Sequence, residues 1–231
     1  QLSGVSRQLK PGEYLWYRRT IPLAKPQQDK RILLHFGAAD QTAEVFVNRI
    51  SAVRHCGGYL PFSADITDYL QEGDNELIVR IQDESNTSWH ARGKQSLKPG
   101  GMFYTAQSGL WQTVWMEAVH PEGLQSVQLL TDIDQQQLVV RPRFYKEAGG
   151  KLQVTLKDNG KVVASRTVSA SSLSSVVLPV KKMKTWSPES PFLYDLEYKV
   201  LDKNGNIIDE VNGYAGMRKV HIEGNKIYLN N

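Results

Sequence analysis

AEVFVNRISAVRHCGGYLPFSADITDYLQEGDNELIVRIQD, residues 43–83, is the stretch whose reading decides the fold. Val45 and Val47 alternate with Glu44 and Phe46, the period-two pattern of a half-buried strand. Asn48-Arg49 marks a turn, and Ile50 to Val53 returns antiparallel to the first strand. With arginine where glycine would be easiest, a turn wider than the tight two-residue form is expected. Gly57-Gly58 and Pro61 break the chain before Asp65–Leu70, a single helical turn that Asp65 or Thr67 can cap. After the turn at Glu72–Asn75, Leu77, Val79 and Ile81 resume the alternation.

Working outward, Trp16–Ile21 reads as a strand, and Arg31–Phe36 (RILLHF) as a strand covered on both faces. Residues 84–101 are polar and aperiodic, as long as loops become inside a compact domain, and such loops are usually functional or disordered. Ser108–Glu117 restores a turn and a β-prone strand. His120-Pro121-Glu122-Gly123 reads as a joint between domains. Beyond it Leu152, Val154 and Leu156 alternate up to Asp158-Asn159-Gly160, a tight hairpin signal, and Leu196, Tyr198 and Val200 do so before Lys203-Asn204-Gly205. No helical period is sustained. The reading is all-β, two sandwiches in series.

Composition removes several classes of function. A hydrophobic content of 40% and a charged content of 23% are ordinary for a globular chain of 231 residues. No apolar run reaches the roughly 20 residues of a membrane-spanning helix, so no membrane partner is expected. The net charge is +4, but Lys and Arg are scattered, with Lys181–Lys184 the only dense run, which argues against nucleic acid. Cys56 stands alone and leaves the compartment open between cytoplasm and periplasm. The five histidines show no metal-ligand spacing, and neither a nucleophile elbow, nor a P-loop, nor a dinucleotide glycine pattern is present. No metal, no cofactor and no catalytic residue is therefore assigned.

The segment Arg92–Thr105 is the candidate for ligand contact. Arg92, Lys94 and Gln95 can hydrogen-bond sugar hydroxyls, and Tyr104 or Trp111 can stack on a sugar ring. Trp115 is expected in the core, because tryptophan is buried on average.

Several motifs carry a family resemblance. VFVN, H-x-GGY-x-PF, DIT-x-x-L and G-x-N-x-L-x-V within residues 45–79 resemble the sugar-binding domain at the front of family 2 glycoside hydrolases, the β-galactosidases, β-glucuronidases and β-mannosidases. LSGVSR (2–7), LWYRRTI (15–21), RGKQ (92–95) and YTAQSGLWQTVWME (104–117) resemble the same domain, and TWSPESPFLYDL (185–196) the immunoglobulin-like domain that follows it. GYAGMRKVHIEGNKIYLNN (213–231) is similar to the segment leading into the catalytic (β/α)8 barrel. The resemblance implies a galactose-binding-like jelly roll over 1–120, with its first strand missing and an exposed sheet edge able to pair with a second copy. It implies an immunoglobulin-like β-sandwich over 121–222, and over 223–231 the start of a linker to a barrel that carries both catalytic glutamates. The implied partners are a carbohydrate and that barrel. In some relatives an acidic residue of the last jelly-roll loop reaches the sugar; its place is held here by Phe103. Retaining hydrolysis of β-O-glycosides would then belong to the parent enzyme, with this chain inactive alone. The alternative is a free-standing carbohydrate-binding module.

Overall fold

The computed structural model describes residues 7–23, 29–147 and 149–231. All of LSGVSR except Arg7 lies outside the described residues. The chain divides into two compact units, 1–119 and 120–231, each with its own core.

In the first unit β1 (Tyr14–Leu23), β2 (Arg31–Phe36), β3 (Ala39–Asp40), β4 (Thr42–Val47), β5 (Ile50–Cys56), β6 (Phe62–Asp65) and β7 (Gly73–Gln82) precede the long loop. Four short pieces follow: β8 (Gln95–Ser96), β9 (Tyr104–Thr105), β10 (Gly109–Leu110) and the longer β11 (Val114–Val119). One sheet has the order β1-β7-β4-β5 and the other β11-β2-β6, with β3 and β10 paired beside them. All these pairings are antiparallel. This is the jelly roll. Its core is the inward row of each strand: Val45 and Val47, then Leu77, Val79 and Ile81, facing Leu34 and Phe36 of the other sheet. Truncating such a residue to alanine costs about 2–5 kcal/mol.

Two expectations are corrected here. The 48–49 turn is not wide. Val47 pairs directly with Ile50, and Asn48 and Arg49 both take positive φ, 49° and 71°. Asn48 is held there by its side chain, which donates to Tyr69 O and Asn75 Oδ1 and accepts from Glu76 N. These bonds offset the steric cost of the left-handed region at Arg49. Trp115 is not in the core either. Val114 and Met116 pack inward, so period two sends Trp115 outward, where it stacks on His35 at 4.9 Å. The expected helical turn is a 3-10 turn, Thr67–Tyr69, with Asp65 Oδ1 accepting from Thr67 N and Thr67 Oγ1.

The second unit contains β12 (Leu124–Asp132), β13 (Gln137–Phe144), β14 (Lys151–Asp158), β15 (Lys161–Ser169), β16 (Val176–Pro179), β17 (Tyr194–Leu201) and β18 (Ile207–Ala215). Sheets β12-β13-β16 and β15-β14-β17-β18 form an immunoglobulin-like sandwich. Leu138 and Val140 of one meet Leu152, Val154, Leu156, Leu196 and Val200 of the other. Asn159 (φ 48°) and Gly160 (φ 80°) make the tight β14–β15 turn that the Asn-Gly pair signals. Within 213–231, a hairpin of β19 (Val220–Glu223) and β20 (Lys226–Leu229) follows.

Candidate functional site: the 84–108 loop

The inward row of β7 does not stop at Ile81. Its next member, two residues on, is Asp83, and it too is buried. A lone carboxylate there would be costly to desolvate, and its charge is met by groups of the loop it introduces. Oδ1 accepts from Ser85 N at 2.7 Å, and Oδ2 accepts from Ser108 Oγ at 2.5 Å. His90 Nε2 lies 3.4 Å from Oδ1. One side chain thus ties the beginning of the loop to its end, with His90 packed beside it.

Asp40, at the end of β3, is the second buried carboxyl of this cluster. Gly109 stands opposite it on β10. Gly58 packs against it so closely that a Cβ at 58 would fall 2.4 Å from Asp40 Oδ1. Burial and the neighbouring Asp83 charge push the Asp40 carboxyl up to about 6, against opposing effects of a Gln95 hydrogen bond and His90. The same Gly58 accepts at its carbonyl from Trp111 Nε1 at 2.7 Å, and Trp111 meets Tyr59 edge to face.

Above this base the loop is built largely from its own backbone. β8 and β9 pair in parallel, Tyr104 N donates to Lys94 O at 2.8 Å, and Gly100 and Phe103 exchange backbone bonds around the tip. Asn86 Oδ1 accepts from Leu97 N. The loop's large apolar side chains remain outside. Trp89 is 96% exposed, Tyr104 69% and Phe103 49%, with Met102 beside them and Tyr59 and Trp111 exposed on the flanking segments.

The candidate residues therefore divide. Phe103 and Tyr104 stand out from the tip and from β9, next to each other in sequence. Lys94 is exposed, with no side-chain partner among the described residues. The Arg92 guanidinium donates through Nη1 to Ser88 O at 2.7 Å, so part of it braces the loop. Gln95 faces inward: its Oε1 accepts from Gln107 N, and its side chain lies close enough to Asp40 to oppose the rise of that carboxyl's pKa. Asp40, Asp83 and His90 were missed from the sequence. The one signal was parity, an aspartate in the inward register of an otherwise apolar row. The cluster holds a surface; its two carboxyls are buried beneath the loop. Among the described residues no group of three or more His, Cys, Asp or Glu could hold a metal ion, and no helix is long and apolar enough to cross a membrane.

The fold is a jelly roll with a pinned loop, followed in the chain by an immunoglobulin-like sandwich. The family model described as glycosyl hydrolases family 2, sugar binding domain, matches residues 8–142, and the glycosyl hydrolases family 2 model matches 124–218. The chain belongs to glycosyl hydrolase family 2. It is 26% identical over 233 residues to a β-galactosidase of Thermoanaerobacter pseudethanolicus, covering 93% of this chain and 30% of that protein. It is 32% identical over 213 residues to a putative β-glucuronidase of Formosa agariphila, covering 89% and 19%. The fold is similar to that of a β-glucuronidase from Ruminococcus gnavus in complex with uronic deoxynojirimycin, with a TM-score of 0.78, 27% identity, and coverage of 94% of this chain and 38% of that one. The chain thus spans well under half the length of these relatives.

Proposed function

We propose that this chain is the non-catalytic front region of a family 2 glycoside hydrolase that cleaves β-O-glycosidic bonds in the manner of a β-galactosidase. In this reading residues 1–120 are the jelly roll, 121–222 the immunoglobulin-like domain, and 223–231 begin the connection to a catalytic barrel of the same polypeptide. The jelly roll scaffolds that barrel and lends it the 84–108 loop as one wall of the sugar site. Phe103 and Tyr104 offer ring faces to the sugar, Arg92 and Lys94 donate to its hydroxyls, and Gln95 positions the loop through Asp40.

The observation that carries this reading is the opposition of buried and exposed groups. A loop fixed from beneath by Asp83 and Asp40 presents Trp89, Phe103 and Tyr104 to the outside, and order without burial is what a contact wall requires. Among the described residues β1 is an edge strand, and it bears Arg18, Arg19 and Pro22, charges and a proline that discourage indiscriminate pairing. A second copy at that edge would appear as a dimer in sedimentation.

Assay of an aryl β-galactoside and an aryl β-glucuronide tests the function. The chain itself is expected to give no turnover, and the full product of its gene is expected to turn over one of them. Replacing Tyr104 with alanine in that full product should raise KM several-fold while the fold persists. Turnover proportional to the concentration of the pure 231-residue chain would overturn the proposal.

A further inference from the structure

We propose that the outer face of the β1-β7-β4-β5 sheet is a separate carbohydrate-binding surface, where Tyr14 and Trp16 stack on a pyranose ring and the row Arg80, Glu44, Arg54 hydrogen-bonds the hydroxyls of the same chain of sugars. This does not rest on the role given to the 84–108 loop.

Strand register builds the face. Trp16 stands opposite Arg80, Arg80 opposite Glu44, and Glu44 opposite Arg54, so one side chain from each of the four strands falls in a single line. With about 4.8 Å between strands the line is about 14 Å long. Tyr14, Gln82 and Thr42 form the next row on one side, and Arg18, Ile78 and Phe46 the row on the other.

The aromatic end is a fixed platform. Tyr14 is 46% exposed and Trp16 56%, with ring centroids 6.4 Å apart and planes inclined by 52°. The Arg80 guanidinium lies 5.0 Å from the Tyr14 centroid and 5.8 Å from that of Trp16, and it is itself ion-paired with Glu44. Glu44 also accepts from Ser51 Oγ at 3.1 Å. Each ring is therefore held by a cation while much of its surface stays open. At the far end Arg54 is exposed and has no side-chain partner among the described residues.

The chemistry of the face selects its ligand. A protein interface has a charge-depleted apolar centre, whereas here charged groups occupy the centre. Nucleic acid would need a concentrated positive field, but Glu44 and Glu76 neutralise Arg80 and Arg18. A pyranose has an apolar C–H face for the rings and, at its rim, hydroxyls that can both donate to Glu44 and accept from guanidinium N–H groups. Arg54, with no side-chain partner among the described residues, adds a preference for a carboxylate, as on a uronate.

Calorimetric titration of the 231-residue chain with β-1,4-galactotetraose, cellotetraose and a glucuronate-bearing xylo-oligosaccharide tests this. Saturable heat is expected with at least one, strongest with the uronate. Trp16→Ala should weaken binding at least about tenfold, Trp16→Phe should restore part of it, and Arg54→Gln should weaken the uronate alone. Heat that a Phe103→Ala/Tyr104→Ala double variant removes while Trp16→Ala leaves it intact would assign the sugar to the loop and overturn the proposal. If Trp16→Ala fails to fold, perturbation of the Trp16 indole N–H resonance of the intact chain on adding ligand gives the same answer. No heat with any of the three, or binding that Trp16→Ala leaves intact, would overturn the proposal.

Discussion

Asp40 and Asp83 lie buried at the base of the 84–108 loop. Two carboxyls share a buried site, and protonation of Asp40 relieves both its desolvation and the repulsion. Because the folded state holds its pKa at about 6, above the ordinary value of 3.8, this stabilisation is full below about pH 4 and is lost as pH rises through about 6. Asp40→Asn is expected to raise the melting temperature of the first unit by roughly 5 °C at pH 8 and by little at pH 4. Equal melting of the two proteins at both pH values would show that Asp40 is solvated. Asp83→Asn should act differently. It removes the acceptor charge for Ser108 and Ser85, so amide exchange should quicken through residues 84–108 while the β4–β7 core stays protected.

The β4–β5 hairpin and the row along β7 were legible as strands because apolar and polar residues alternate strictly, and only a half-buried strand has that period. The alternation did not reveal that polar groups close both ends of the inward β7 row. Asn75, buried, accepts from Asn48 Nδ2 and Gln71 N, while Asp83 anchors the loop at the other end. The tightness of the 48–49 turn depends on those contacts, reached across 21 to 28 residues of sequence. Arg49→Gly should therefore stabilise the first unit by about 0.5–1 kcal/mol, since the turn keeps its shape and loses its strain. Asn48→Ala should destabilise it by about 2 kcal/mol or more in urea, having left buried partners unpaired. Trp115 carries the same lesson: average burial is a property of the residue type, but its two neighbours in the strand took the inward positions.

Each unit has its own core, with buried clusters that fall on either side of residue 120. A domain with a complete core can fold alone. Chains 1–119 and 120–231, expressed separately, are expected to give dispersed amide spectra, the second with protected amides at Leu138, Leu152 and Leu196. A collapsed, poorly dispersed spectrum from either would show that its core needs the other half.

The alternation of residue types settles the all-β class, the order of strands and the tight Asn159-Gly160 turn, because backbone period and turn sterics are local and act through neighbours in sequence. Motif order adds the family. Which outward residues meet is decided only in the tertiary structure. Trp16 comes to face Arg80, and Asp83 to hold Ser108, through strand register and sheet order, which bring together groups 64 and 25 positions apart. No local pattern encodes such a pairing, since its energy comes from burial and charge that exist only once the sheets have formed.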